Sequence, residues 1–292
     1  MEILENEPLS RHTTYHVGGP ARYFIRSTNE KDLVEALQFA KSNKLPFFIL
    51  GNGSNTLFPD EGFPGVVIHM EDRTITSKGD TVSVGCGVFM RQLVNSALEN
   101  GLTGLENLAG IPGTVGGAVR GNAGTWHTEV KDVLQNVLVI DADNPDKETQ
   151  IFKPADCRFG YRDSIFKHQK NLVITRASFK CLRGDIDKSR QLIEEDRQNR
   201  HERQPYDYPS AGSVFKNPDP EHGIYSGALI EQAGLKGYSV GGAMVSDKHA
   251  NFIVNVNKAS SSDILQIIST VQESVEKKFS IKLEPEIQIV RI

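Results

Sequence analysis

Leu33, Ala36, Leu37 and Ala40 recur at helical intervals behind Ser27 and Glu30, which have capping-box spacing, and Pro46 closes the segment. The pattern predicts a helix leading into a strand at residues 47–50, an apolar run that stops at the polar glycine turn GNGSN, residues 51–55. Turns at the carboxyl ends of strands are where open α/β layers bind ligands. The pattern recurs as a strand at 81–84, the turn Gly85-Cys86-Gly87, and a helix over about 89–100 with Gly101 at its C′ position. Beyond residue 130 the texture changes to strands at 137–140, 150–152 and 171–179, separated by polar turns, as in a half-buried sheet. Residues 185–204 are charged almost throughout, with Ile186, Leu192 and Ile193 as the large apolar exceptions, which predicts a solvated helix near a domain boundary. After the break at Pro205 and Pro209 come a strand at 252–256 and a helix opening at serines 260–262. That helix carries Ile264, Ile267, Ile268, Val271 and Val275 on one face, and a final strand is expected over roughly 281–290.

The length of 292 residues fits about two domains and leaves room for three small ones. Hydrophobic residues at 38% and charged ones at 24% give the balance of a soluble enzyme. A net charge of −4 without any basic block argues against a nucleic-acid surface, which needs clustered Lys and Arg to release counterions. Cys86, Cys157 and Cys181 are odd in number, far apart and without metal-type spacing, so they read as buried or free thiols in a reducing compartment. The N-terminus MEILENEP does not read as a signal peptide, and no membrane-length apolar run occurs, so a cytoplasmic protein is expected.

The candidate chemistry begins with glycine. Seven of the twenty-one residues from 104 to 124 are glycine, interleaved with Leu108, Ile111, Val115 and Val119, unlike a linker, and only Glu106 and Arg120 are charged. Glycine costs conformational entropy when ordered, so such a run marks positive φ or close approach of the main chain to a ligand. GNGSN lacks the third glycine of a dinucleotide fingerprint, and no G-x-x-x-x-G-K-[ST] exists. Two turns remain, GNGSN and IPGTVGG, each with a row of backbone N–H groups suited to a pyrophosphate, or serving as tight turns only. In FGYRDSIFK, residues 159–167, Arg162 either binds an anion or pairs with Asp163 at a sheet edge. AGSVFKNP, residues 211–218, sets Ser213 in a glycine turn with Lys216 three residues on, but it is no nucleophile elbow. LEPE places Glu284 and Glu286 on one side of a strand by period two. Lys248, His249 and Asn251 precede a strand, where they either grip a phosphate or sugar or serve the turn; no set has metal spacing.

GNGSNTL, the glycine run, FGYRDSIFK, AGSVFKNP, SDKHANFIVN and LEPE, in this order across essentially the whole chain, resemble the UDP-N-acetylenolpyruvoylglucosamine reductase family. The resemblance implies a bacterial cytoplasmic flavoenzyme of peptidoglycan precursor synthesis with an α+β fold of three domains. The first two would form the FAD-binding fold shared with vanillyl-alcohol-type oxidases, over residues 1–72, rejoined by 286–292, and residues 73–204. The third, 205–285, would bind the UDP-sugar. Non-covalent FAD would lie on Gly51, Asn52, Gly53, Ser54 and Asn55, and on Gly110, Ile111, Pro112, Gly113 and Thr114. It would continue over Gly116, Gly117, Ala118, Gly121, Asn122 and Gly124. NADPH would reduce the flavin, and the enolpyruvyl ether would then take hydride at its β-carbon. By the same resemblance Arg162 would bind the substrate carboxylate, Ser213 would protonate the α-carbon, and Glu286, with Glu284 as the fallback, would supply the catalytic acid. Tyr161, Lys216, Asn217, Lys248, His249 and Asn251 are the candidates for substrate binding. No protein partner is implied.

The chain departs from the family pattern where Ile287-Gln288-Ile289-Val290 follows Glu286, and it is too short between Ser213 and Lys248 for the tyrosine-bearing loop of the longer branch. It resembles the loop-lacking type. Two rivals stand beside this reading: a flavin oxidase of the same cofactor fold, and a sugar-nucleotide-binding module without turnover. Oxidases of that fold often tether flavin to a histidine or cysteine; no such motif stands in the glycine run, and His127 lies just beyond it.

Overall fold

A computed structural model describes residues 2–125 and 128–291, so that His127 lies outside the described residues. In chain order the elements open with β1 (Ile3–Pro8), β2 (Pro20–Ser27), α1 (Glu30–Ser42), β3 (Phe47–Leu50), β4 (Thr56–Leu57) and β5 (Phe63–Met70). Next come β6 (Ile75–Lys78), β7 (Thr81–Gly85), α2 (Met90–Glu99), β8 (Leu102–Thr103), α3 (Val115–Gly121) and α4 (Val130–Val133). They are followed by β9 (Leu134–Asp141), β10 (Gln150–Phe152), α5 (Ile165–His168), β11 (Leu172–Lys180), β12 (Leu182–Arg183) and α6 (Ile186–Arg203). The chain ends with β13 (Ser210–Ser213), α7 (Ser226–Gln232), β14 (Ser239–Val240), β15 (Ala243–Val245), β16 (Phe252–Asn255), α8 (Ser261–Phe279) and β17 (Gln288–Ile289).

Two compact units emerge. The first comprises Met1–Leu4, Tyr23–Asn52 and Gly65–Asn199; the second comprises Glu5–Arg22, Gly53–Pro64 and Arg200–Ile292. One sheet has the order β1-β2-β5-β3, with β3 parallel to β5. The five-stranded sheet β10-β9-β11-β7-β6 is antiparallel throughout. The core of the first unit takes Leu33, Ala36, Leu37 and Ala40 from α1 and Leu93, Val94 and Ala97 from α2, the faces their spacing predicts. Helix α2 ends at Asn100, and Gly101 follows at φ +70°, the left-handed C′ residue.

Capping of α1 differs from the spacing argument. Asn29 is the N-cap, its Oδ1 accepting from the Asp32 amide at 3.0 Å, because Ser27 is still the last residue of β2. In the second unit α8 packs Ile264, Ile267, Ile268, Val271 and Val275 into a core shared with Val245 and Ile253, each burial worth about 1.5–3 kcal/mol. Its N-cap is Ser260, which accepts from the Asp263 amide. The antiparallel sheet here runs β13-β16-β15-β14.

The strand expected over 281–290 forms only in part. Proline 285 has no N–H to give a ladder, and the segment changes partner midway. The Glu286 amide donates to the Val214 carbonyl at 2.7 Å, and the Gln288 amide to the Asn55 carbonyl at 2.8 Å, where β17 pairs with β4 in parallel. No helix among the described residues is long and apolar enough to cross a membrane.

Candidate active site

GNGSN leaves β3 as a turn whose amides at Gly51, Asn52, Gly53 and Asn55 donate to no acceptor among the described residues. Its carbonyls do have partners, with Gly53 accepting from Thr14 and Asn55 from Gln288. Donors left open in a glycine turn suit an anionic ligand. A Cβ on Gly51 would lie 2.4 Å from Thr114 Oγ1, so the turn approaches the IPGTVGG segment at a distance only glycine permits. Gly53 has φ +62°, and a Cβ there would meet the His12 carbonyl oxygen at 2.3 Å. Gly53→Ala therefore adds left-handed strain of about 1–2 kcal/mol to a backbone clash. We expect it to purify with a reduced flavin-to-protein absorbance ratio and a lower melting temperature; full flavin content at wild-type stability would contradict this use of the turn.

The second turn behaves differently from the uniform row of donors that its glycines suggest. Thr114 caps α3, and the amides of Val115 and Gly116 donate to the Val88 and Cys86 carbonyls at 2.8 and 2.9 Å. Gly116 serves packing, since its Cβ would sit 2.9 Å from Cys86 Cβ. Gly113, at φ +111°, accepts from the Met90 amide, and Ala118 is buried. A Cβ on Gly117 would make an ordinary contact with Thr114 Oγ1 at 3.7 Å, Gly121 has open space there, and Gly110, Ile111 and Pro112 form the loop before α3. Asn122 is fully buried at φ +42°, with its amide committed to protein partners.

FGYRDSIFK is not a sheet edge. Gly160 and Asp163 exchange backbone hydrogen bonds across a tight turn before α5, and Arg162 sits in it at φ +54°. A non-glycine residue held there carries strain of the kind that marks functional positions. Asp163 pairs with His168 at 2.9 Å, while the Arg162 guanidinium donates to the Gly124 carbonyl at 3.0 Å and lies 3.9 Å from Glu129 Oε1. It also lies over the Tyr161 ring at 5.3 Å, and Tyr161 is 40% exposed rather than core.

In the second unit Ser213 ends β13, with Gly212 before it at φ +74° and a bulge between Ser210 and Ser213. The following segment is held on both sides. Asn251 Oδ1 accepts from the Phe215 amide at 3.0 Å and its Nδ2 donates to the Phe215 carbonyl at 2.9 Å; opposite, the Lys216 amide donates to the Glu284 carbonyl at 2.9 Å. AGSVFKNP thus lies between the β16 approach and LEPE, with residues 214–216 bonded to 284–286. The glutamates differ. Glu284 is 69% exposed and binds Lys216 Nζ at 2.6 Å, whereas Glu286 is half-buried beside Val214, with its carbonyl accepting from Asn55 Nδ2 at 3.3 Å.

Several residues read as substrate contacts serve the scaffold as well. Asn251 is 4% exposed and clamps Phe215, and Asn217 Oδ1 accepts from the Ser226 amide at the start of α7. His249 Nδ1 accepts from the Asn251 amide, and burial holds its pKa below the usual histidine range, which favours the neutral ring. Lys248 Nζ donates to the His201 carbonyl at 2.7 Å. Asn251→Leu should cost about 3 kcal/mol by stranding the buried Phe215 amide and carbonyl. Urea denaturation reads this, and a loss below about 1 kcal/mol would refute the clamp.

Residues 21–144 match the family profile of the FAD binding domain, and residues 204–290 match that of the UDP-N-acetylenolpyruvoylglucosamine reductase C-terminal domain. The chain is an FAD-dependent oxidoreductase. Among its relatives, the UDP-N-acetylenolpyruvoylglucosamine reductase of Caldanaerobacter subterraneus subsp. tengcongensis is 42% identical over 290 residues, covering 99% of this chain and 94% of its own. That of Carboxydothermus hydrogenoformans is 43% identical over the same length and coverage. The crystal structure of the Thermus caldophilus reductase superposes with a TM-score of 0.82 at 36% identity, covering 99% of this chain and 98% of that one. The chain belongs to the UDP-N-acetylenolpyruvoylglucosamine reductase (MurB) family.

Proposed function

We propose that this protein reduces the enolpyruvyl ether of UDP-N-acetylglucosamine enolpyruvate to UDP-N-acetylmuramate at the expense of NADPH, in the cytoplasm. The observation that carries the reading, beside the family match, is the segment after Ser213 bonded along its backbone to Glu284 and Glu286, with Lys216 Nζ paired to Glu284. When bound, FAD would supply the hydride chemistry that links NADPH to the β-carbon of the enolpyruvyl group. The difficulty lies with the substrate: an ionised carboxylate next to the double bond resists the added negative charge. Arg162 meets it with a delocalised, permanently charged fork that can bind the carboxylate and stabilise the enolate-like charge developing there. Ser213 gives its proton to the α-carbon. A hydroxyl is a weak acid, so the strong basicity of that carbon drives the transfer, and Lys216 three residues away supplies positive charge for the alkoxide left behind. Glu286 is the catalytic carboxyl of this proposal, while Glu284 is engaged in the ion pair with Lys216.

The change of sheet between β5 and β6 falls at the boundary we propose at residue 72, although both sides of it belong to one compact unit, and the third domain is proposed over 205–285. The parallel pairing of β17 with β4 supports the return of 286–292 to residues within 1–72. The test of function is turnover: NADPH consumption by the flavin-loaded protein should require the enolpyruvyl sugar nucleotide and yield the lactyl ether. Flavin-free, colourless protein, or consumption indifferent to that substrate, would refute the reading.

A further inference from the structure

We propose that Glu129, held by Asn122, is a positioning residue for Arg162. Asn122 is fully buried and adopts the left-handed conformation just after α3, at φ +42°. Its Nδ2 donates to Glu129 Oε2 at 3.0 Å and to the Gly160 carbonyl at 2.9 Å, while its Oδ1 accepts from the Lys131 amide at 3.1 Å. One side-chain amide therefore fixes both the turn that carries Arg162 and the carboxylate that faces its guanidinium. Glu129 Oε2 also pairs with Lys131 Nζ at 2.7 Å, leaving Oε1 at 3.9 Å from Arg162 Nη1. Gly124, whose carbonyl accepts from Arg162 Nη2, bridges to Glu129 across the backbone. The Glu129 and Arg162 side chains are only 19% and 22% exposed, so solvent screens the pair weakly.

The distances give the arrangement a purpose. A charge-assisted hydrogen bond closes to about 2.7–2.9 Å. Glu129 makes one with Lys131 through Oε2 and faces Arg162 with Oε1 at the longer distance of 3.9 Å, so it orients the guanidinium without closing a direct hydrogen bond on it. Pre-setting a long side chain in this way matters because small misplacements of a catalytic group are costly.

This inference rests on the role given to Arg162 and is tested by a double-mutant cycle on the flavin-loaded enzyme. Glu129→Gln keeps an acceptor for Asn122 but removes the charge. We expect it to slow reoxidation by the enolpyruvyl substrate by about 10–100-fold. Reduction by NADPH should stay within about twofold. In an Arg162→Lys background the same change should add less than about twofold, because its effect runs through the missing fork. Asn122→Gly, which keeps the left-handed backbone but deletes the amide, should reproduce the selective loss. Additive losses in the double variant, or equal slowing of both half-reactions, would overturn the inference while leaving Arg162 in place. A near-wild-type Arg162→Lys enzyme would overturn both.

Discussion

Ser213→Ala is expected to leave reduction of the bound flavin by NADPH within about twofold of wild type while slowing reoxidation by the enolpyruvyl substrate by on the order of 10²–10⁴-fold. The asymmetry follows from what the hydroxyl does. It is absent from the step in which NADPH gives up hydride, and it holds the only proton the proposal assigns to the α-carbon. Ser213 closes β13 behind a left-handed glycine, and the next three residues are fastened to Asn251 on one side and to 284–286 on the other. Removing one oxygen from so constrained a position changes chemistry with little change of shape. Stopped-flow flavin absorbance separates the two halves, and equal slowing of both would remove Ser213 from the proton-donor role.

Arg162→Lys carries the second large effect. Lysine keeps the charge but replaces a rigid two-pronged donor with a point ammonium on a flexible stem, and it loses the stacking over Tyr161. Loss of one preorganised stabiliser of a developing anion costs roughly 10²–10³ in rate, and the loss should again fall on the substrate half-reaction. Arg162 sits at φ +54°, so Arg162→Gly fits the backbone while deleting the guanidinium, and it should abolish turnover. A lysine variant with near-wild-type reoxidation would show that the carboxylate is held elsewhere.

The helices could be read from the chain because their signals are local. Leu33, Ala36, Leu37 and Ala40 face the core of the first unit, and the isoleucine stripe of α8 faces that of the second, as a period of 3.6 requires. Asn29 took the cap from Ser27 because β2 runs through Ser27. Residues 281–290 misled for a tertiary reason: an apolar, alternating sequence is compatible with one strand, but the partner changes at Ile287 from the 214–215 segment to 55–57. The glycine run was legible as a place of close approach, but not which amides stay open, since Val115 and Gly116 spend theirs on the Cys86 turn. Residue roles beyond the motifs were hidden in the same way. Asn251 reads as a candidate substrate contact and Glu129 as an ordinary polar residue after a glycine run. Their importance comes from partners 36 and 33 residues away, Phe215 and Arg162, which no local spacing announces.

The central claim, that flavin reduced by NADPH is reoxidised by an enolpyruvyl sugar nucleotide on this chain, is tested most directly by anaerobic stopped-flow in two steps. The flavin absorbance should bleach when NADPH is added and return rapidly on mixing with UDP-N-acetylglucosamine enolpyruvate, with UDP-N-acetylmuramate formed in equal amount. Reduced flavin that persists with that substrate and recovers only when oxygen is admitted would contradict the account and favour an oxidase.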